Sequence, residues 1–166
     1  MTLKQLLLEQ FSSCYNESNW FVAITTAVDG LSADDASRAS DSSNNSVWKI
    51  VNHLIYWNSR YLNRFRDIPN PEAKTNNDAT FEGERTSGSE EDWRATVRNL
   101  NSVMSEWETA LKEADETKLE KKPIKNSEGT WYSYIGLINT HNAYHIGQIV
   151  SIRKQQGSWD PKKGVN

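Results

Sequence analysis

Apolar residues fall at helical spacing in four stretches of the chain. Leu7, Cys14, Phe21 and Val28 recur every seven residues, with Leu3, Phe11 and Ile24 flanking that line. Such a repeat marks a long helix packed at a shallow angle against its neighbours, and Gly30 is expected to end it. A second helix should follow the polar cluster Ser42-Ser43-Asn44-Asn45-Ser46, any of which can serve as its N-cap. Ile50, Leu54, Trp57 and Tyr61 form its face, Val47 and Phe65 lie at its ends, and Pro69 and Pro71 stop it. The third pattern opens with Ser89 as N-cap and Glu90, Glu91 and Asp92 in the first turn, where carboxylates suit the helix dipole. Trp93, Val97, Leu100, Met104, Trp107 and Leu111 then alternate steps of four and three, the seam of a helix inside a bundle. The fourth runs from Trp131 to Gln156 and ends at Gly157, with Tyr134, Ile138, His141, His145, Ile149 and Ile152 as its seam.

The pattern predicts an all-α, four-helix bundle forming a single domain over residues 1–166, without internal repeats or useful strand alternation. Between the second and third helices, residues 67–88 carry Pro69, Pro71, Gly83, Gly88 and many small polar residues. Extended, that segment reaches about 70 Å, while the second helix spans about 30 Å. It is long enough to return along the bundle and start the third helix parallel to the second.

Composition narrows the classes of function. The formal charge of −3 and scattered basic residues give no footprint for nucleic acid. No apolar stretch has the length of a membrane span. The start, Met1-Thr2-Leu3-Lys4-Gln5, leads directly into the amphipathic pattern without a signal-peptide core. A single cysteine, Cys14, excludes an internal disulfide and fits a reducing compartment; the cytoplasm is the expected location. Seven tryptophans argue against disorder.

The chemistry concentrates in the three histidines. His141 and His145 lie four apart, so both rings project from one helix face, a spacing that lets two imidazoles ligate one ion. His53 sits on the second helix beside its apolar face. A hydrogen-bonded core arrangement is the alternative, because buried imidazoles without partners are costly. Three nitrogen ligands leave a coordination position open, as at catalytic sites. Imidazole suits zinc, nickel, copper or iron, and zinc or nickel is the expected divalent ion. No Asp or Glu occurs between Val47 and Arg66 or between Trp131 and Trp159. That gap argues against an HExxH peptidase and against a carboxylate-rich di-iron bundle.

The segment Ser46-Val47-Trp48-Lys49-Ile50-Val51-Asn52-His53-Leu54 resembles the second-helix motif of the DinB-like (YfiT-like) superfamily of metal-dependent bundles. His141-Asn142-Ala143-Tyr144-His145-Ile146-Gly147-Gln148-Ile149 resembles its fourth-helix motif. The resemblance implies up-down-down-up topology, a metal triad of His53, His141 and His145, and frequent homodimers. It also implies S-transferase or isomerase chemistry in some members, with a low-molecular-weight thiol as cosubstrate and a small-molecule substrate. The competing expectation is a non-catalytic, metal-stabilised stress-response or dimeric binding protein.

Around the triad, Gln148 can orient a ligand, bind substrate or merely line a helix interface. Tyr56 can donate to a metal-bound group or sit at the bundle's edge, and Trp57 can form a pocket wall. Arg153 can attract a substrate carboxylate or cap carbonyls, and Trp159 can fold back over the bundle or meet a partner.

Overall fold

Thr2 opens the first helix, α1 (Leu3–Tyr15), with a capping box: its hydroxyl accepts from the Gln5 amide while the Gln5 side chain accepts from the Thr2 amide. The computed structural model describes residues 1–40 and 43–165. α1 is shorter than the seven-residue repeat predicts. It stops at Asn16, and the repeat resumes only in a separate short helix, α2 (Ile24–Val28). The reason is local polar competition. The Ser18 hydroxyl accepts from the Ala23 amide at 3.0 Å and the Asn19 amide donates to the Phe21 carbonyl at 3.0 Å. The loop between them carries Trp20, which is 92% exposed.

A further short helix, α3 (Ala33–Ser37), leads into a small antiparallel ladder of β1 (Ala39–Ser40) and β2 (Ser43–Ser46). The period-two pattern is too short to have announced it. Ser46 caps α4 (Val47–Phe65), accepting from the Lys49 amide at 3.3 Å; Ser42 of the candidate cap cluster lies outside the described residues. The crossover contains a 3-10 turn over Asp78–Phe81. Ser89 and Asp92 form the capping box of α5 (Glu90–Glu113). A short α6 (Glu116–Leu119) precedes α7 (Trp131–Gln155), and Gly157, at φ 72°, follows its last turn.

Contacts give the directions of the four long helices. Trp48 meets Trp93 and Phe65 meets Trp107, so α4 and α5 run parallel. His53 meets His145, Asn58 bonds Asn142 and Phe65 meets Trp131, so α4 and α7 run antiparallel. Lys4 reaches the Lys112 carbonyl and Tyr15 the Asn101 carbonyl, so α1 opposes α5. Trp107 lies where the four meet. It is buried, its ring packs against Phe11, Phe65 and Trp131, and its indole N–H donates to the Asn58 carbonyl at 2.9 Å.

The buried line of α7 is rotated from the expected seam. Ile138, His145, Ile149 and Ile152 of that seam are buried, but Tyr134 and His141 are only half-buried, and Ile135, Asn139, Asn142 and Ile146 are buried in addition. Two asparagines are inside because each has a partner. Asn142 exchanges amide hydrogen bonds with Asn58 at 2.8 and 3.1 Å, and Asn139 donates to the Leu7 carbonyl at 3.0 Å. The same rotation holds in α4. Asn58 and Leu62 are buried, while Trp57 and Tyr61 stand at the edge.

Arg153 donates to the carbonyls of Ala27, Asp29 and Ser158, and Trp159 folds back over its guanidinium at 5.4 Å. Its donors hold the end of α2 and the segment after α7, whereas the sequence suggests a cap on the last carbonyls of its own helix. Cys14 is buried, with its thiol donating to the Asn139 carbonyl at 3.3 Å, and burial pushes its pKa up to about 12. Alkylation of native protein by iodoacetamide at pH 8 is therefore expected to be far slower than in urea, measured by mass spectrometry. A thiol whose folded pKa is raised favours folding most below its unfolded pKa near 9.0. That stability is lost as pH rises towards 12.

Candidate metal centre

His53 is the seventh residue of α4, and His141 and His145 lie one turn apart in the middle of α7. The antiparallel packing of α4 and α7 brings the three rings together. His53 and His145 are 3% and 5% exposed, while His141 sits at the edge. The Nε2 atoms of His53 and His141 are 3.0 Å apart, and one ligand nitrogen from each of the three histidines lies within 4.8 Å of the others. Around a tetrahedral zinc with bonds of about 2.0–2.1 Å, ligand nitrogens stand about 3.3 Å apart. The cluster is thus of a size that one ion can bridge. No carboxylate of a described residue joins the group.

Burial is the first cause holding these imidazoles neutral. It lowers His53 to about 3, helped by His145 and His141, and His141 to about 4, helped by His145. His145 is lowered by burial too, opposed by its bond to Gln148. Neutral imidazole is the form that ligates a cation.

Two neighbours select which nitrogen is presented. The Thr80 hydroxyl donates to the Asn77 carbonyl at 2.5 Å, so its oxygen accepts from His53 Nδ1–H at 2.6 Å, leaving Nε2 as a lone-pair donor. Gln148 donates through Nε2 to the Tyr144 hydroxyl at 3.0 Å, and its Oε1 accepts from His145 Nδ1–H at 2.7 Å. Phe81 stacks on His53, with ring centroids 3.9 Å apart. Outer partners of this kind fix ring orientation and tautomer at metal sites.

The crossover supplies Thr80 and Phe81, and Asn52 pins it there. Its side-chain amide donates to the Arg85 carbonyl at 2.7 Å, with the Phe81 and Glu82 carbonyls at 3.4 and 3.3 Å. Gly83, at φ 55°, lies so close that a Cβ would fall 2.5 Å from the Asn52 side chain. Only glycine fits both that conformation and that approach.

Of the remaining expected site residues, Gln148 is on His145 and Trp57 stands edge-on to His53 at 6.4 Å. Trp57 also lines a cavity of about 320 Å³ with Tyr61, Tyr134, Leu137, Ile138 and His141. Tyr56 is elsewhere. Its hydroxyl accepts from the Lys74 amide at 3.1 Å, and it lines a second cavity of about 420 Å³. Thr80 and Phe81 escaped the sequence reading because a 3-10 turn in a long connection has no periodicity to mark them.

The sequence profile of the DinB superfamily matches residues 22–149, a span that contains the three histidines and the pinned crossover. The chain belongs to the DinB superfamily. No curated protein and no solved structure matches it. For this DinB-superfamily chain, no helix among the described residues is long and apolar enough to cross a membrane.

Thr80→Val is expected to lower zinc affinity about 10- to 100-fold, the cost typical of losing an outer partner, while Thr80→Ser retains it. Calorimetric titration of each variant with zinc checks this.

Proposed function

We propose that this protein holds one divalent ion, zinc or nickel, on His53, His141 and His145, and transfers a low-molecular-weight thiol to a small electrophile. The observation carrying the reading is the convergence of three neutral imidazoles beside an open cavity into which His141 faces. Such an ion, when bound, lowers the pKa of a coordinating thiol so that the thiolate is available at neutral pH. Thr80 and Gln148 keep the Nε2 atoms of His53 and His145 aimed inwards. Trp57, Tyr61 and Tyr134 wall the space in which the second substrate is oriented. In the transfer itself, sulfur forms a bond to the electrophilic carbon as the leaving group departs with its bonding pair. The thiol proton passes to solvent, since no carboxylate among the described residues lines the cavity.

The test uses protein purified without a histidine tag, loaded with zinc or nickel, and given a small thiol and 1-chloro-2,4-dinitrobenzene. Thiol consumption is expected above the uncatalysed rate, and His141→Ala is expected to return it to that rate. Equal turnover by His141→Ala would take the histidines out of the mechanism. The carboxylate-free walls also favour a second reading, a metal serving stability alone. That reading expects chelation to lower the melting temperature while no electrophile is consumed.

A further inference from the structure

The cavity beside His141 lies between α4 and α7. Trp57 and Tyr61 project from one helix four residues apart, and Tyr134, Leu137, Ile138 and His141 from the other. Its aromatic walls form a continuous set: Trp57 and Tyr61 have centroids 6.2 Å apart at 31°, and Tyr61 and Tyr134 lie 5.8 Å apart. Among the described residues the only others lining it are Asn58 and Asn77, so no described Lys, Arg, Asp or Glu side chain faces the space. Arg64 does not line it and is engaged over the Tyr61 ring at 5.0 Å. A charged ligand would find no counter-ion on the side chains of these walls, which is costly in an apolar site. A planar ring gains offset or edge-on contact with the tyrosines and tryptophan. The volume of about 320 Å³ falls at the small end of small-molecule sites.

We infer that this slot takes an uncharged, planar aromatic molecule and holds it against His141. The inference rests on the proposed transfer reaction and makes such a molecule the electrophile. The small thiol is the polar partner and approaches from the histidine side. Charge selection at this slot follows from its walls and needs no metal or thiol, so binding alone can test it.

Two fluorescent probes with similar rings separate the possibilities: neutral N-phenyl-1-naphthylamine and anionic 8-anilinonaphthalene-1-sulfonate. The full chain, freed of metal with a chelator, is expected to bind the neutral probe at least about tenfold more tightly, the scale of one well-made apolar contact. Leu137 is 64% exposed, so Leu137→Glu keeps the fold and is expected to weaken neutral-probe binding by a similar factor. Tyr61→Ala is expected to act in the same direction, with circular dichroism confirming that both variants are folded. Equal affinity for the two probes overturns the inference, as does a neutral probe indifferent to both substitutions. Binding that falls as protein concentration rises would assign the slot to a second copy of the chain and overturn it too. Neutral-probe binding without thiol consumption would defeat the transfer reading and leave the slot's chemistry standing. Conjugation of charged and neutral electrophiles at equal rates would do the reverse.

Discussion

His145→Ala is expected to reduce bound zinc or nickel from near one ion per chain to a trace, measured by elemental mass spectrometry on untagged protein. The effect should exceed the 10- to 100-fold typical of an outer partner, because a ligand itself is removed. His145 is well placed to reveal it. It is 5% exposed, its Nδ1 is taken by Gln148, and its remaining nitrogen faces the other two rings. The loss should also be visible as stability. At an ion concentration a hundredfold above Kd, binding to the folded state contributes about 2.7 kcal/mol. A chelator should therefore lower the melting temperature of the parent protein and leave that of His145→Ala unchanged. Unaltered metal content in His145→Ala would show that the ion sits elsewhere.

Trp107→Ala is expected to be strongly destabilising. Removing a buried tryptophan costs about 3–5 kcal/mol, and the indole N–H bond to the Asn58 carbonyl adds about 1 kcal/mol. Domains of this kind have only about 5–15 kcal/mol of net stability, so much of the total is at stake. The site should suffer with the core, because Asn58 is the residue through which α4 meets Asn142 on α7. Urea unfolding of Trp107→Ala beside Trp107→Phe checks this. Phenylalanine keeps most of the ring packing against Phe11 and Phe65 and should lose distinctly less. Equal loss in both variants would put the weight on the hydrogen bond instead.

These two expectations draw on features of different visibility in the sequence. The helix of Glu90–Glu113 was legible from its cap through Leu111, because a cap, an acidic first turn and an unbroken apolar seam agree. The pair His141 and His145 was legible for the same kind of reason, a spacing that fixes both rings on one face. The first helix misled, because a seven-residue repeat continues across a break made by Ser18 and Asn19. Apolar periodicity reports which residues seek the core, and separate helices can satisfy it as well as one.

What the sequence by itself determined is therefore the second, third and fourth long helices, the all-α class and two of the three convergent histidines. Local spacing and capping settle these without reference to the rest of the chain. The tertiary structure alone decided the rotation of α4 and α7 that buries Asn58 and Asn142 and turns Trp57, Tyr61 and His141 towards a cavity. It also decided that a distant crossover, held by Asn52 and Gly83, brings Thr80 and Phe81 to His53. Those contacts join residues 27 or more positions apart, and their geometry depends on how whole helices pack, which no short-range pattern encodes.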